Sequence, residues 1–134
     1  MPGVSQVVNH YHAHVTLYVN GNRVRIPAQV GLPGTMNGGE SPVHTHTDDG
    51  IIHIEADDPS FRGTIGELFD VWGVYLSTSC IGGYCDGVKA WVNGKPVSDP
   101  SAIQMQEHDA VTIVEGTPPS GFTPDKSYKF PKDL

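Results

Sequence analysis

The chain has 134 residues, 16 glycines, 11 prolines, a formal net charge of −7 and a pI near 5.3. That length suits one domain and buries roughly two-thirds of the unfolded surface, so neither metal nor disulfide is needed merely to fold. No basic face stands out, which argues against nucleic-acid binding, and no apolar run nears the ~20 residues of a membrane span.

Glycine and proline at this level favour turns and short strands over long helices. The first residues carry no basic-plus-apolar leader. The chain is therefore expected to be cytoplasmic as written, or extracytoplasmic if a leader has been removed.

Asn20-Gly21 lies between His14–Val19 and Asn22–Ile26 and signals a type I′ hairpin. Pairing outward from it sets Leu17 against Val24 and Val15 against Ile26. These apolar residues share one face. His12, His14, Thr16 and Tyr18 take the other, because side chains alternate along a strand. Residues 31–42, rich in glycine and proline and without periodicity, read as a loop.

A second hairpin is expected from Val43–Thr47 and Ile51–Glu55. A two-residue Asp49-Gly50 turn would set His46 against His53 and His44 against Glu55, with Val43, Thr45 and Thr47 sharing a face with Ile52 and Ile54. A three-residue Asp48-Asp49-Gly50 loop would put His44 and His46 beside those isoleucines instead. A one-residue slip flips every side chain. The first register keeps polar from apolar and is the expected one; it gathers His44, His46, His53 and Glu55 on one face.

Residues 63–72 hold the helix. Thr64 and Glu67 form a capping box, Ile65, Leu68, Phe69 and Trp72 an apolar stripe, and Gly73 a stop. Lys89–Val92 and Ala110–Val114 read as strands, with Asn93-Gly94 as another hairpin turn and Ser98–Pro100 as a further turn. The expected fold is α+β, mostly β: a β-grasp-like sheet on one helix. Residues 43–115 form its core, residues 10–27 an added hairpin, and residues 117–134 a proline-rich surface tail.

Five of the seven histidines carry the functional argument: His12, His14, His44, His46 and His53. An H-x-H pair in a strand presents two imidazoles on one side, and neutral imidazole ligates zinc, copper, iron and nickel. The primary set is His44, His46 and His53, completed by His12 or His14. Histidine ligation with little thiolate favours copper(II), zinc or iron(II), with copper preferred. Glu55 is a ligand, a partner orienting an imidazole, or a general base; the plainer reading is an exposed strand carboxylate. His10 and His108 read as surface residues, and Asp48 and Asp49 as turn formers. Tyr11, Tyr18, Tyr75 and Trp91 either line a pocket beside the metal or pack the sheet. Cys80 and Cys85 are a disulfide, a metal-ligating or redox pair, or two buried thiols.

The stretch Gly73–Cys85, following a helix, is similar to the cluster loop of plant-type [2Fe–2S] ferredoxins, which continues as C-x4-C-x2-C with a distant fourth cysteine. Val88 stands at the third ligand position here and no fourth cysteine exists, so this resemblance speaks for fold. His12-Ala-His14, Ile26-Pro27, His44-Thr-His46, Gly50–Glu55, Phe69–Gly73 and Val92–Gly94 together resemble a family of small, histidine-rich bacterial and archaeal proteins with a β-grasp-like fold. That likeness brings no activity with it, and many members look exported or anchored.

No G-x-S-x-G, P-loop or G-x-G-x-x-G pattern occurs, so acyl-transfer, nucleotide-triphosphate and dinucleotide chemistry find no support. The C-terminus has no Gly-Gly end, against a conjugation or sulfur-carrier role. Three functions remain. One is a mononuclear metalloenzyme of oxidase, oxygenase or hydrolase type, whose open position takes O2, water or a small substrate. The second is a copper carrier without catalysis. The third is a metal-free module whose polar sheet face binds a protein.

Overall fold

The first strand, β1 (Asn9–Val19), organises the molecule. In this computed structural model, which describes residues 9–32 and 41–134, it is buried on both faces. Tyr11, Ala13, Val15, Leu17 and Val19 enter the apolar core, while His12, His14 and Thr16 are buried on the opposite face. Both residues of the Asn20-Gly21 turn have positive φ, 53° and 79°, as a type I′ hairpin requires. The turn leads into β2 (Asn22–Val24), with Leu17 opposite Val24.

The expected Val15–Ile26 pairing does not form. Val15 N donates instead to Gly50 O at 2.8 Å, and Ile26 turns into the core at 1% exposure. The other occupant of this edge of β1 is β4 (Ile51–Ala56), antiparallel, with His12 opposite His53 and His10 opposite Glu55. On the far edge of β1 runs β7 (Ala110–Glu115), parallel to it. Outside β4 lies the two-residue β3 (Val43–His44). Outside β7 lie β5 (Val88–Val92) and β6 (Lys95–Val97), joined by a turn at Asn93 and Gly94 with φ of 53° and 84°. The sheet order is β3-β4-β1-β7-β5-β6, with β2 also on β1. The hairpin expected as an addition thus supplies the central strand, and a parallel β1–β7 pair sits mid-sheet. Much of the loop expected over 31–42 falls outside the described residues.

The helix, α1 (Ile65–Trp72), starts and stops where its signals place it. Thr64 and Glu67 make the reciprocal capping box, and Gly73 closes the helix at φ 82°. Ile65, Leu68 and Phe69 are fully buried and join one cluster with Ala13, Val15, Val43, Ile52, Ile54, Val111 and Ile113. The helix therefore covers the apolar face, and the histidines of β1, β3 and β4 take the other. No described helix is long and apolar enough to cross a membrane.

Residues 117–134 do more than trail along the surface. Phe122 packs against Tyr18 (ring centroids 5.7 Å) and Trp91 (5.3 Å), and Tyr128 stacks on His14 at 3.6 Å. Asp125 accepts from Thr16 Oγ1 at 2.7 Å, and its N–H donates to Thr112 Oγ1 at 3.0 Å. The tail thus covers the polar face over Thr16, Thr112 and Trp91. Cys80 and Cys85 form a disulfide. Their loop is tied back by Glu115, 1% exposed, whose two carboxylate oxygens accept from Asn20 N at 3.0 Å and Asp86 N at 2.8 Å.

Candidate metal centre

Three strands bring the histidines together. His12 and His53 are direct cross-strand partners, and so are His53 and His44. One row of imidazoles therefore runs across β1, β4 and β3. His46 follows His44 by two residues and its ring meets both neighbours, with centroids 4.5 Å from His53 and 5.0 Å from His44. Ligand atoms of His44, His46, His53 and Glu55 all lie within 4.8 Å of one another. Four donors on one tetrahedral ion, with bonds of ~2.1 Å, stand roughly 3.4 Å apart. Closing this set on an ion takes shifts of about an ångström.

The expected separation of polar and apolar faces holds, but the hairpin register is two residues away from that expected. His44, not His46, lies opposite His53, and Val43 lies opposite Ile54. The cause is Thr45. Its N–H donates to Val30 O at 2.9 Å, and its hydroxyl donates to Pro27 O at 2.7 Å while accepting from Val30 N at 3.0 Å. These bonds pull the chain off β4 after His44 and replace a tight Asp49-Gly50 turn with a wider loop. Asp49 Oδ1 closes that loop by accepting from Thr47 Oγ1 (2.7 Å) and Ile51 N (3.2 Å). A shift of two preserves the faces of His44, His53 and Glu55, and His46 joins them from beyond the end of β3.

His44 is the best-defined ligand. It is wholly buried. Its Nδ1 stands 2.8 Å from Ser41 O; a carbonyl only accepts, so Nδ1 carries the hydrogen. In a neutral ring the lone pair is then on Nε2, which makes no hydrogen bond among the described residues and stands 3.0 Å from Glu55 Oε1. Two acceptors face to face call for a cation between them, a proton or a metal ion. An N–H donated to a backbone carbonyl is also how metal-bound imidazoles are usually oriented.

The rest of the row is held neutral. Burial first, then the neighbouring His12, His46 and His44, push the His53 imidazole down to about 4. Burial, then His10, lowers His12 as well. Neutral rings at neutral pH are the ligand form. The Nε2 atoms of His12 and His44 are both buried without a hydrogen bond among the described residues. Such atoms cost about 1–3 kcal/mol each, a cost a bound cation would offset.

No family model, curated protein or solved structure matches the chain significantly.

The structure divides the expected ligands. His44, His46 and His53 come together with Glu55, and His12 reaches His53 at a centroid distance of 4.7 Å. His14 joins neither histidine group. Its Nε2 donates to Asp49 O at 2.7 Å and its ring lies beneath Tyr128. Burial lowers its basicity too, ahead of the opposing bond to Asp49. The aromatic residues considered as pocket lining lie elsewhere. Tyr11 faces the core side and donates to Met105 O at 2.8 Å, Tyr18 and Trp91 hold the tail, and Tyr75 is exposed. With Cys80 and Cys85 bonded to each other, their sulfurs supply no thiolate.

His10 is exposed, as expected of a surface residue, and it also extends this row. Its ring is 5.0 Å from His12, and His10, His12 and His53 form a second group of donors within 4.8 Å. The signal was present: His10 has the strand parity of His12. The capping of His14 by Tyr128, by contrast, has no local signature.

Proposed function

We propose that this protein binds one mononuclear transition-metal ion through His44, His46, His53 and Glu55. The observation that carries the proposal is His44 Nε2, buried and without a hydrogen bond among the described residues, set against a carboxylate and two further imidazoles. Three imidazoles and one carboxylate suit copper(II), zinc and iron(II). Copper(II) is preferred because it binds such N/O sets most tightly among the divalent ions and because the cysteines offer no thiolate for copper(I). The disulfide also fits an oxidising compartment, in which copper(II) is the prevailing form.

Four protein donors complete a tetrahedral set, and His46 is exposed at its edge. That arrangement supports holding and delivering an ion. A second reading keeps His44 Nε2 on the ion and leaves Glu55 unbound beside it. Three histidines then leave one coordination position open. The ion would then supply Lewis acidity or a redox centre to O2, water or a small substrate. Glu55 would hold or move the proton.

Copper(II) EPR on the full chain tests both readings. A single equivalent should give nitrogen hyperfine structure from several imidazoles, and the wild-type spectrum should be lost in His44→Ala/His46→Ala. A Glu55→Gln spectrum shifted from wild type marks Glu55 as a ligand; an unchanged one places it off the ion. A wild-type spectrum of free copper would overturn the proposal.

A further inference from the structure

We propose that His10, His12 and His53 form a second, weaker position for the same class of ion, overlapping the first through His53. The inference rests on the metal-binding reading above in sharing its ion chemistry and that residue. Three observations carry it. The donors of these histidines lie within 4.8 Å of one another. His12 is only 7% exposed and its buried Nε2 makes no hydrogen bond among the described residues, so this nitrogen has been taken from water without a hydrogen bond to replace it. Strand pairing also holds the group: His10 and His12 share a face of β1, and His12 lies directly opposite His53 on β4.

The rings form a continuous path from solvent to interior. Centroid steps of 5.0 Å (His10–His12), 4.7 Å (His12–His53) and 5.5 Å (His53–His44) connect exposed His10 to wholly buried His44. A neutral imidazole has one lone pair, so His53 serves one ion at a time. An ion passes between the positions by exchanging His44, His46 and Glu55 for His10 and His12 while His53 stays bound. When the inner position is filled, a second ion has only His10, His12 and water. The outer position is then the weaker one.

The test uses the full chain without an affinity tag, titrated separately with zinc chloride and copper(II) chloride against a competing chelator. Wild type should bind one ion tightly and a second at least tenfold more weakly. His46→Ala/Glu55→Ala removes the more accessible inner donors and leaves buried His44 in place. It should keep one ion at an affinity at least tenfold below the tight site. Adding His10→Ala and His12→Ala should abolish that ion, with circular dichroism confirming the fold. If His12→Ala unfolds the chain, His10→Ala alone, at an exposed position, should still weaken the retained ion at least threefold. An inner variant that binds nothing while wild type binds one ion overturns the second position and leaves the first intact. A retained ion indifferent to His10 and His12 also overturns it. A wild type that binds no ion removes both.

Discussion

Lowering the pH should destabilise the metal-free protein through His53, and the size of the effect follows from its surroundings. The folded state holds this imidazole at about 4 against an ordinary 6.5, chiefly by burial and then by His12, His46 and His44. A depressed histidine is favoured neutral in the fold, so its contribution is complete above pH ~6.5 and declines as pH falls toward 4. At pH 5 the unfolded chain binds nearly one proton more than the folded one. The loss between pH 7 and pH 5 is about 2 kcal/mol, approaching about 3.4 kcal/mol well below pH 4. The slope near pH 5 is roughly 1.2 kcal/mol per pH unit from this residue alone. Urea unfolding of the metal-free protein from pH 7.5 to 4.5, for wild type and His53→Asn, measures it. The variant should be less stable at pH 7.5 yet show a shallower decline, the two curves converging toward acid. His12 and His14, both lowered by burial, keep some slope in the variant. Parallel curves would refute the idea that His53 is held neutral by the fold.

Three further outcomes follow from particular contacts. Gly50→Ala should lower the urea-derived stability by more than about 1 kcal/mol, because φ is +90° there and an added Cβ would sit 2.5 Å from Val15 O and 2.7 Å from His14 Nε2; unchanged stability would mean the loop relaxes freely. Phe122→Ala should cost about 1–3 kcal/mol by removing its aromatic contacts with Tyr18 and Trp91, and limited proteolysis should then cut within residues 117–134 first. Reducing Cys80–Cys85 should cost about 2 kcal/mol of stability for so short a loop. It should leave metal uptake unchanged, since neither sulfur belongs to the donor groups; loss of uptake would tie the loop to the site.

Local chemistry made much of this fold readable. Asn20-Gly21 and Asn93-Gly94 each impose positive φ at two residues, and Thr64 with Glu67 caps the helix, so turns and helix start are written in adjacent residues. Strand alternation likewise predicted that His44, His46, His53 and Glu55 share a face. What failed depends on distant partners. Thr45 leaves β4 because of Pro27 and Val30, 18 and 15 residues away in the chain, and no hairpin rule contains that information. His14 has the same parity as His12, yet Tyr128 covers it from the tail. The parallel β1–β7 pairing joins segments near opposite ends of the chain, so the N-terminal hairpin looked peripheral when its first strand is central.

The most direct test of the account is metal content by inductively coupled plasma mass spectrometry, on wild type and His44→Ala/His46→Ala purified without a metal-affinity tag and then offered copper, zinc or ferrous iron. The account predicts close to one tightly held ion per wild-type chain, lost in the double variant while circular dichroism stays native. Wild type that holds no ion would contradict the claim that this histidine face is a metal site, and a variant that holds as much as wild type would contradict the claim that His44 and His46 hold the ion.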